Sequence, residues 1–273
     1  MSSIALLDRD ISTILRCPDC CEHTLELESD SLLKCLTCGS EFPVDQKRNL
    51  CSLFSKTSNS TIKENIRAWW GDLYKQLYDG HEKDLDSNGL ANALDELEDL
   101  FRRREHLAVL EMPLNELKGK RVLEIGPGAG AHSALFSKYG ASMVSIDITP
   151  ERVMATGRKL ALIEGGEGRA YQADAENLPF RDNSFDIVYS NGVLHHSEDT
   201  KACIDEVYRV LRPGGKTVLM LYSRHSSIYW LQVLPRAIMT GEFFRWPEAQ
   251  WIGRLTEGKP QYGETRNPIT RVY

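Results

Sequence analysis

Three carboxylates stand where chemistry could use them. Glu124 lies in "RVLEIGPGAGAHSALF", two residues before a turn in which Gly126, Gly128 and Gly130 alternate. Asp147 falls near the end of the apolar run "SMVSIDI", and Asp174 closes "RAYQAD". Asn191 follows "FDIVYS" in the stretch "SNGVLHH", which also carries His195 and His196. A glycine-rich turn lets the backbone approach a ligand closely, and what surrounds it selects the ligand. A P-loop needs a GK[ST] ending, whereas this turn ends "GAGAHS" with no lysine for phosphate. A dinucleotide site prefers GxGxxG, with a helix N-terminus facing pyrophosphate. Here the spacing is GxGxG, and the Glu124 carboxylate would repel that anion. A carboxylate at this place suits a cation.

The ammonium and sulfonium of S-adenosylmethionine meet that requirement. Asp147, at the end of a second strand, can accept hydrogen bonds from both ribose hydroxyls. Asp174, at the end of a third, can accept from the adenine amino group. One acid after a strand is commonly a cap or a turn former. Acids closing three strands of one sheet are harder to dismiss in that way. The sulfonium is already a good leaving group, so the protein's task is to align an incoming nucleophile with the methyl carbon. A base is needed only where the acceptor loses a proton as it reacts. His195 and His196 lie where the acceptor should approach and are the candidate catalytic residues, with a structural or cofactor-shell role as the competing reading.

A second constellation is Cys17-x2-Cys20-x14-Cys35-x2-Cys38. Each CxxC turn can aim two thiolates at one tetrahedral ion, and the residues between read as a hairpin that joins the turns. The expectation is a structural zinc, with no open coordination position for catalysis. Cys21 and His23 are near enough to be spare ligands but read as exposed neighbours. Cys51 and Cys203 read as small buried hydrophobes. So short a module has little core of its own. Loss of the metal should loosen it while the rest of the chain stays folded.

These residues need elements to position them. From Lys120 onward strands and helices alternate, which implies a parallel sheet with helices on both faces. The strands are "RVLEIG", "SMVSIDI", "RAYQAD", "FDIVYS" and "KTVLMLYS". Thr149 and Pro150 should cap and open the second helix. In such folds ligands sit at the carboxyl ends of the strands, near the switch point beside strand one. The fold class is therefore α/β, a doubly wound Rossmann-like sheet ordered 3-2-1-4-5, with a small zinc ribbon ahead of it. Residues 1–54 form the ribbon. Residues 55–118 form a linker and two helices broken near Asp86 to Gly89. Their cluster of Trp69, Trp70, Tyr74 and Tyr78 either packs on the main domain or forms a lid, packing being the default. Leu94, Leu97, Phe101, Leu107 and Leu110 recur at helical spacing on the second helix. Residues 119–223 form the cofactor-binding core. Residues 224–273 are rich in aromatics and arginine, with ordinary helix packing as the default for Tyr229, Trp230, Phe243, Phe244, Trp246, Trp251 and Tyr262.

The motifs "VLEIGPGAG", "SIDIT", "ADAENLPFRDNSFDIVYSNGVLHH" and "EVYRVLRPGGKTVLM" resemble, in order and spacing, those of class I S-adenosylmethionine-dependent methyltransferases. They are most similar to the type 11 group that includes ubiquinone and menaquinone C-methyltransferases. The resemblance covers about residues 120–222. It implies cofactor contacts at Glu124, Gly126, Gly128, Asp147, Asp174, Ala175 (through its backbone) and Asn191. It also implies a helix and an antiparallel strand pair beyond strand five. The tail shows no such pattern, so the expectation is a five-stranded sheet with an exposed strand-five edge. The tail, another subunit or a longer product would cover it. The stretch "ILRCPDC…LKCLTCGSEFPV" resembles the zinc ribbons found with RNA and protein methyltransferases, although "DQKRNLCSLF" departs from them.

The formal net charge of −6 gives no global basic field for nucleic acid. No apolar run is long enough for a transmembrane segment, and Asp8, Arg9 and Asp10 interrupt the start of the chain, so a cytoplasmic protein is expected. The reading is a methyltransferase acting on a small or medium organic acceptor. The alternatives are a ribosomal or transfer RNA methyltransferase, and a weakly catalytic adaptor that binds the cofactor.

Overall fold

A computed structural model describes residues 9–55, 59–77, 80, 85–103, 112, 114–257 and 267–273. After a short helix α1 (Arg9–Ser12), four antiparallel strands form the N-terminal sheet: β1 (Leu25–Ser29), β2 (Leu32–Cys35), β3 (Glu41–Asp45) and β4 (Leu50–Cys51). The hairpin expected between the CxxC pairs is β1–β2, and Gly39, at φ 75°, makes the turn after the second pair.

Two long helices follow, α2 (Thr61–Leu77) and α3 (Ser87–Arg102). Asp86 accepts from the Gly89 N–H at 2.7 Å and so caps the second helix at the expected break. Tyr78, Leu107, Leu110 and Tyr262, and the Phe101 side chain, lie outside the described residues. The larger sheet contains β5 (Arg121–Ile125), β6 (Ser142–Asp147), β7 (Glu167–Gln172), β8 (Phe185–Asn191) and β9 (Leu211–Met220). Helices α4 (Ala131–Lys138), α5 (Pro150–Ala161) and α6 (Thr200–Val210) connect them. All neighbours are parallel and the order is β7-β6-β5-β8-β9, the expected 3-2-1-4-5. The tail adds α7 (Leu234–Met239), α8 (Glu242–Arg245) and α9 (Glu248–Thr256).

Strand alternation divides the sheet's apolar side chains between two cores. Val122, Met143, Ile187 and Tyr189 pack with Leu90 and Leu94 of α3 and with Ala134, Leu135 and Phe136 of α4. Leu123, Val144, Tyr171 and Val188 pack with Cys203 and Val207 of α6 and with Phe42, Val44 and Leu53 of the N-terminal module. That module is therefore part of one face of the sheet. The Leu53 N–H donates to Gln172 O at 2.7 Å, extending the sheet past β7. The Arg181 N–H donates to Ile14 O at 2.8 Å.

At the other end of the sheet, no strand pairs with the outer side of β9 among the described residues. The last residues fold back onto the chain beyond β9 and onto the turn after β8, not onto the β9 edge: the Tyr273 N–H donates to Tyr222 O at 2.9 Å, the Arg224 N–H to Tyr273 O at 2.8 Å, and the Arg271 N–H to His195 O at 2.8 Å.

Candidate active site

One cavity of about 300 Å3 opens at the carboxyl ends of β5, β6, β7 and β8. Its wall includes Glu124, Gly126, Gly128, Asp147, Asp174, Ala175 and Asn191, all the expected cofactor residues except Gly130. All three turn glycines have positive φ, but their surroundings differ. A Cβ on Gly126 would stand 2.4 Å from Val193, and one on Gly130 would stand 2.7 Å from the Thr156 backbone. Gly130 is thus needed where α4 meets α5, not at the cavity. A Cβ on Gly128 would meet nothing within 4 Å. Two substitutions separate these roles. Gly126→Ala should lower the melting temperature well beyond Gly128→Ala, because it adds a collision to left-handed strain. Gly128→Ala should bear only that strain, about 1–2 kcal/mol, and lose ligand affinity. Thermal unfolding and ligand titration of the two variants check this.

The acids are held in specific ways. Glu124 is buried and accepts from the Ser133 hydroxyl, which also lies 2.7 Å from Ser145 Oγ. Burial pushes the Glu124 carboxyl up to about 7. Asp147 Oδ1 accepts from the Thr149 N–H and hydroxyl, both at 2.8 Å. Thr149 does stand before α5, but its hydroxyl makes no cap bond and serves Asp147 instead. Asp174 Oδ1 accepts from the Glu176 N–H at 2.9 Å. Asp174 Oδ2 and Glu176 share Lys63, at 2.6 and 2.9 Å.

The two histidines differ. His196 lines the cavity, with Nδ1 at 3.0 Å from both Asn267 Nδ2 and Thr270 Oγ1. Burial, reinforced by His195, holds His196 well below the usual imidazole range. His195 is not part of the wall. It is buried with neither ring nitrogen hydrogen-bonded, and burial pulls it down to about 4. Both are neutral near pH 7 and hold a proton poorly, which counts against either as a strong base.

Helix α2 packs on one side and lines the cavity on the other. Trp69 and Tyr74 are buried in packing, while Lys63, Ile66 and Trp70 face the cavity. The Trp70 ring lies 5.0 Å from that of His196, and the Arg152 guanidinium 4.9 Å from the Trp70 centroid. Lys63, Arg152 and His132 are wall residues that the motifs do not mark. Only the Arg152 position had a signal, as a cation one turn beyond Asp147.

The four expected thiols also converge. Their sulfurs lie within 4.8 Å of one another, with Cys17–Cys38 at 3.7 Å and Cys20–Cys35 at 3.5 Å. Tetrahedral bonds of about 2.3 Å to one zinc would separate sulfurs by about 3.8 Å. Cys21 and His23 are outside the group, and Cys51 and Cys203 are buried, as expected.

Residues 123–219, the strands and turns that build the cavity, match the family model described as a methyltransferase domain. The chain is 36% identical over 124 residues to an uncharacterized methyltransferase, YcgJ, of Bacillus subtilis, covering 45% of this chain and 49% of that one. It is 36% identical over 107 residues to a demethylmenaquinone methyltransferase of Clavibacter sepedonicus, covering 38% of this chain and 42% of that one. The crystal structure of Bacillus subtilis YcgJ aligns with a TM-score of 0.40 at 26% identity, over 54% of this chain and 58% of that one. The chain spans about half the length, or less, of these curated relatives. Among the described residues no helix is long and apolar enough to cross a membrane.

Proposed function

We propose that the cavity binds S-adenosylmethionine and that the methyl group passes by direct in-line displacement to a small or medium organic acceptor. The observation that carries this reading is the convergence of acids from three strand ends on one cavity beside a glycine turn. Asp147 has one carboxylate oxygen, Oδ2, free of the bonds to Thr149 and so available to the ribose hydroxyls. Asp174 and Ala175 would receive the adenine, and Glu124 would balance the cationic end of the ligand. When bound, the cofactor supplies an activated methyl group. The chain's own residues would hold it, exclude water and orient the acceptor. Trp70, Arg152 and His196 lie together on the remaining wall and would present a flat, half-polar surface to the acceptor. His196 would orient it by hydrogen bonding, and His195 would pack behind. Helix α2 would serve as the lid, tied by Lys63.

The four thiolates suit a structural zinc, which would fix the turns of the N-terminal module and leave no open position. Cytoplasmic residence is part of the same proposal.

The experiment is a screen of metabolites and RNA with an isotopically labelled methyl donor. Label in a small organic product supports the reading, and label only in RNA overturns the acceptor class.

Binding should also depend on pH. A bound cation favours ionised Glu124 and lowers its pKa from the value near 7, so binding releases a proton below that pH. Affinity should be greatest above about pH 7 and fall by up to roughly tenfold per unit as pH decreases. Glu124→Gln should bind more weakly at about pH 7.5 and lose this dependence. Titrations between about pH 6 and 7.5 check it, and a flat parent profile would contradict the assignment.

A further inference from the structure

Among the described residues, fourteen large apolar side chains are exposed, and eight of them fall between Ile228 and Trp246. This concentration departs from the ordinary packing expected of the tail. The inner side of the segment is accounted for: Tyr229 and Ala237 form a small core with Trp251 and Ile252, and Val233 packs against it. Tyr229, Val233 and Ala237 recur at four-residue spacing. Ile228, Leu231 and Met239 fall on the opposite side of the same helical run. Leu231 is 75% exposed, Met239 86% and Phe244, on the next helix, 74%. The helical run over residues 227–239 thus has an apolar outer face as well as an apolar inner one, and a patch of this kind marks an interaction surface.

The charge around the patch selects the partner. Arg236 and Arg245 are exposed, and among the described residues neither forms an ion pair. The neighbouring acids are already matched: Glu242 pairs with Arg254 at 3.0 Å, and Glu248 pairs with Arg224. The unmatched charge is therefore positive, on a chain whose formal net charge is −6. We propose that this surface docks on an anionic lipid bilayer, with Leu231, Met239 and Phe244 in the interfacial layer and the two arginines on the headgroups. A second copy using the same patch would set Arg236 and Arg245 against their own counterparts with no carboxylate to receive them. Helix α9, which packs against both docked helices, links them to the cavity wall. The Thr270 N–H donates to Ala249 O of α9 at 2.8 Å, and the Thr270 hydroxyl lies 3.0 Å from His196 Nδ1.

The test is co-sedimentation of the full chain with extruded vesicles of phosphatidylcholine alone or mixed with phosphatidylglycerol. The expected result is partition onto the mixed vesicles that weakens with added salt. Leu231→Ser with Phe244→Ser, and separately Arg236→Glu with Arg245→Glu, should each reduce it by roughly tenfold or more. Melting temperature and cofactor affinity should not change, since all four side chains are exposed. Failure to partition, or partition by the variants equal to the parent, would overturn the proposal. So would a dimer in sedimentation velocity that the Leu231→Ser, Phe244→Ser variant abolishes, because the patch would then belong to a second copy.

Discussion

Asp147→Ala should bind S-adenosylmethionine roughly 10- to 100-fold more weakly than the parent. Charge-assisted hydrogen bonds are each worth about 1.5–3 kcal/mol, and the substitution removes those proposed to the ribose. The alanine has a second effect. It deprives the buried Thr149 of the oxygen that accepts from its N–H and hydroxyl, which should lower the melting temperature. Asp147→Asn separates the two effects. Its amide oxygen can still accept from Thr149, so stability should be largely restored while the charge is lost and affinity stays low. Equilibrium dialysis with labelled cofactor, beside thermal unfolding, reads both quantities. Parent-like affinity in both variants would mean that the end of β6 does not contact the ribose.

Cys35→Ser should remove the metal and destabilise the whole protein. Purified parent is expected to hold about one zinc per chain. Binding to four thiolates is worth on the order of 10 kcal/mol, comparable to the entire stability of a domain. The sequence alone suggests that the damage would stop at the N-terminal module. The packing argues otherwise. Phe42, Val44 and Leu53 share a core with Leu123, Tyr171 and Val188 of the parallel sheet, and Leu53 bonds to the edge of β7. Loosening the module would expose that face and that edge together. Metal analysis and thermal unfolding with a chelator test the claim. Folded protein without zinc would end the metal assignment. A sheet transition unchanged by Cys35→Ser would show that the shared core carries little stability.

The parallel sheet and its order were legible because the strands are short apolar runs, and β5, β6 and β7 are closed by a glycine or an acid. Those closing residues are also the cavity wall, so the same marks located the site. Gly130 shows the limit of spacing: it reads like its two neighbours, yet its space is taken by Thr156 of another helix. Lys63, Trp70 and Arg152 come to the wall from α2 and α5, and only tertiary packing makes them neighbours. The docking of residues 14–15 and 52–53 on the sheet was hidden for a similar reason, since backbone bonds between distant segments leave no periodicity. In the tail, aromatic spacing suits inward and outward faces equally, and only exposure separates Tyr229 from Trp230.

The central claim is that the cavity is a cofactor site for S-adenosylmethionine. Calorimetric titration of the parent protein at about pH 7.5, where Glu124 is mostly ionised, with S-adenosylmethionine tests it most directly. Saturable binding at about one equivalent per chain, with no heat from NADH, is the predicted result. Tight binding of NADH with none of S-adenosylmethionine would contradict it.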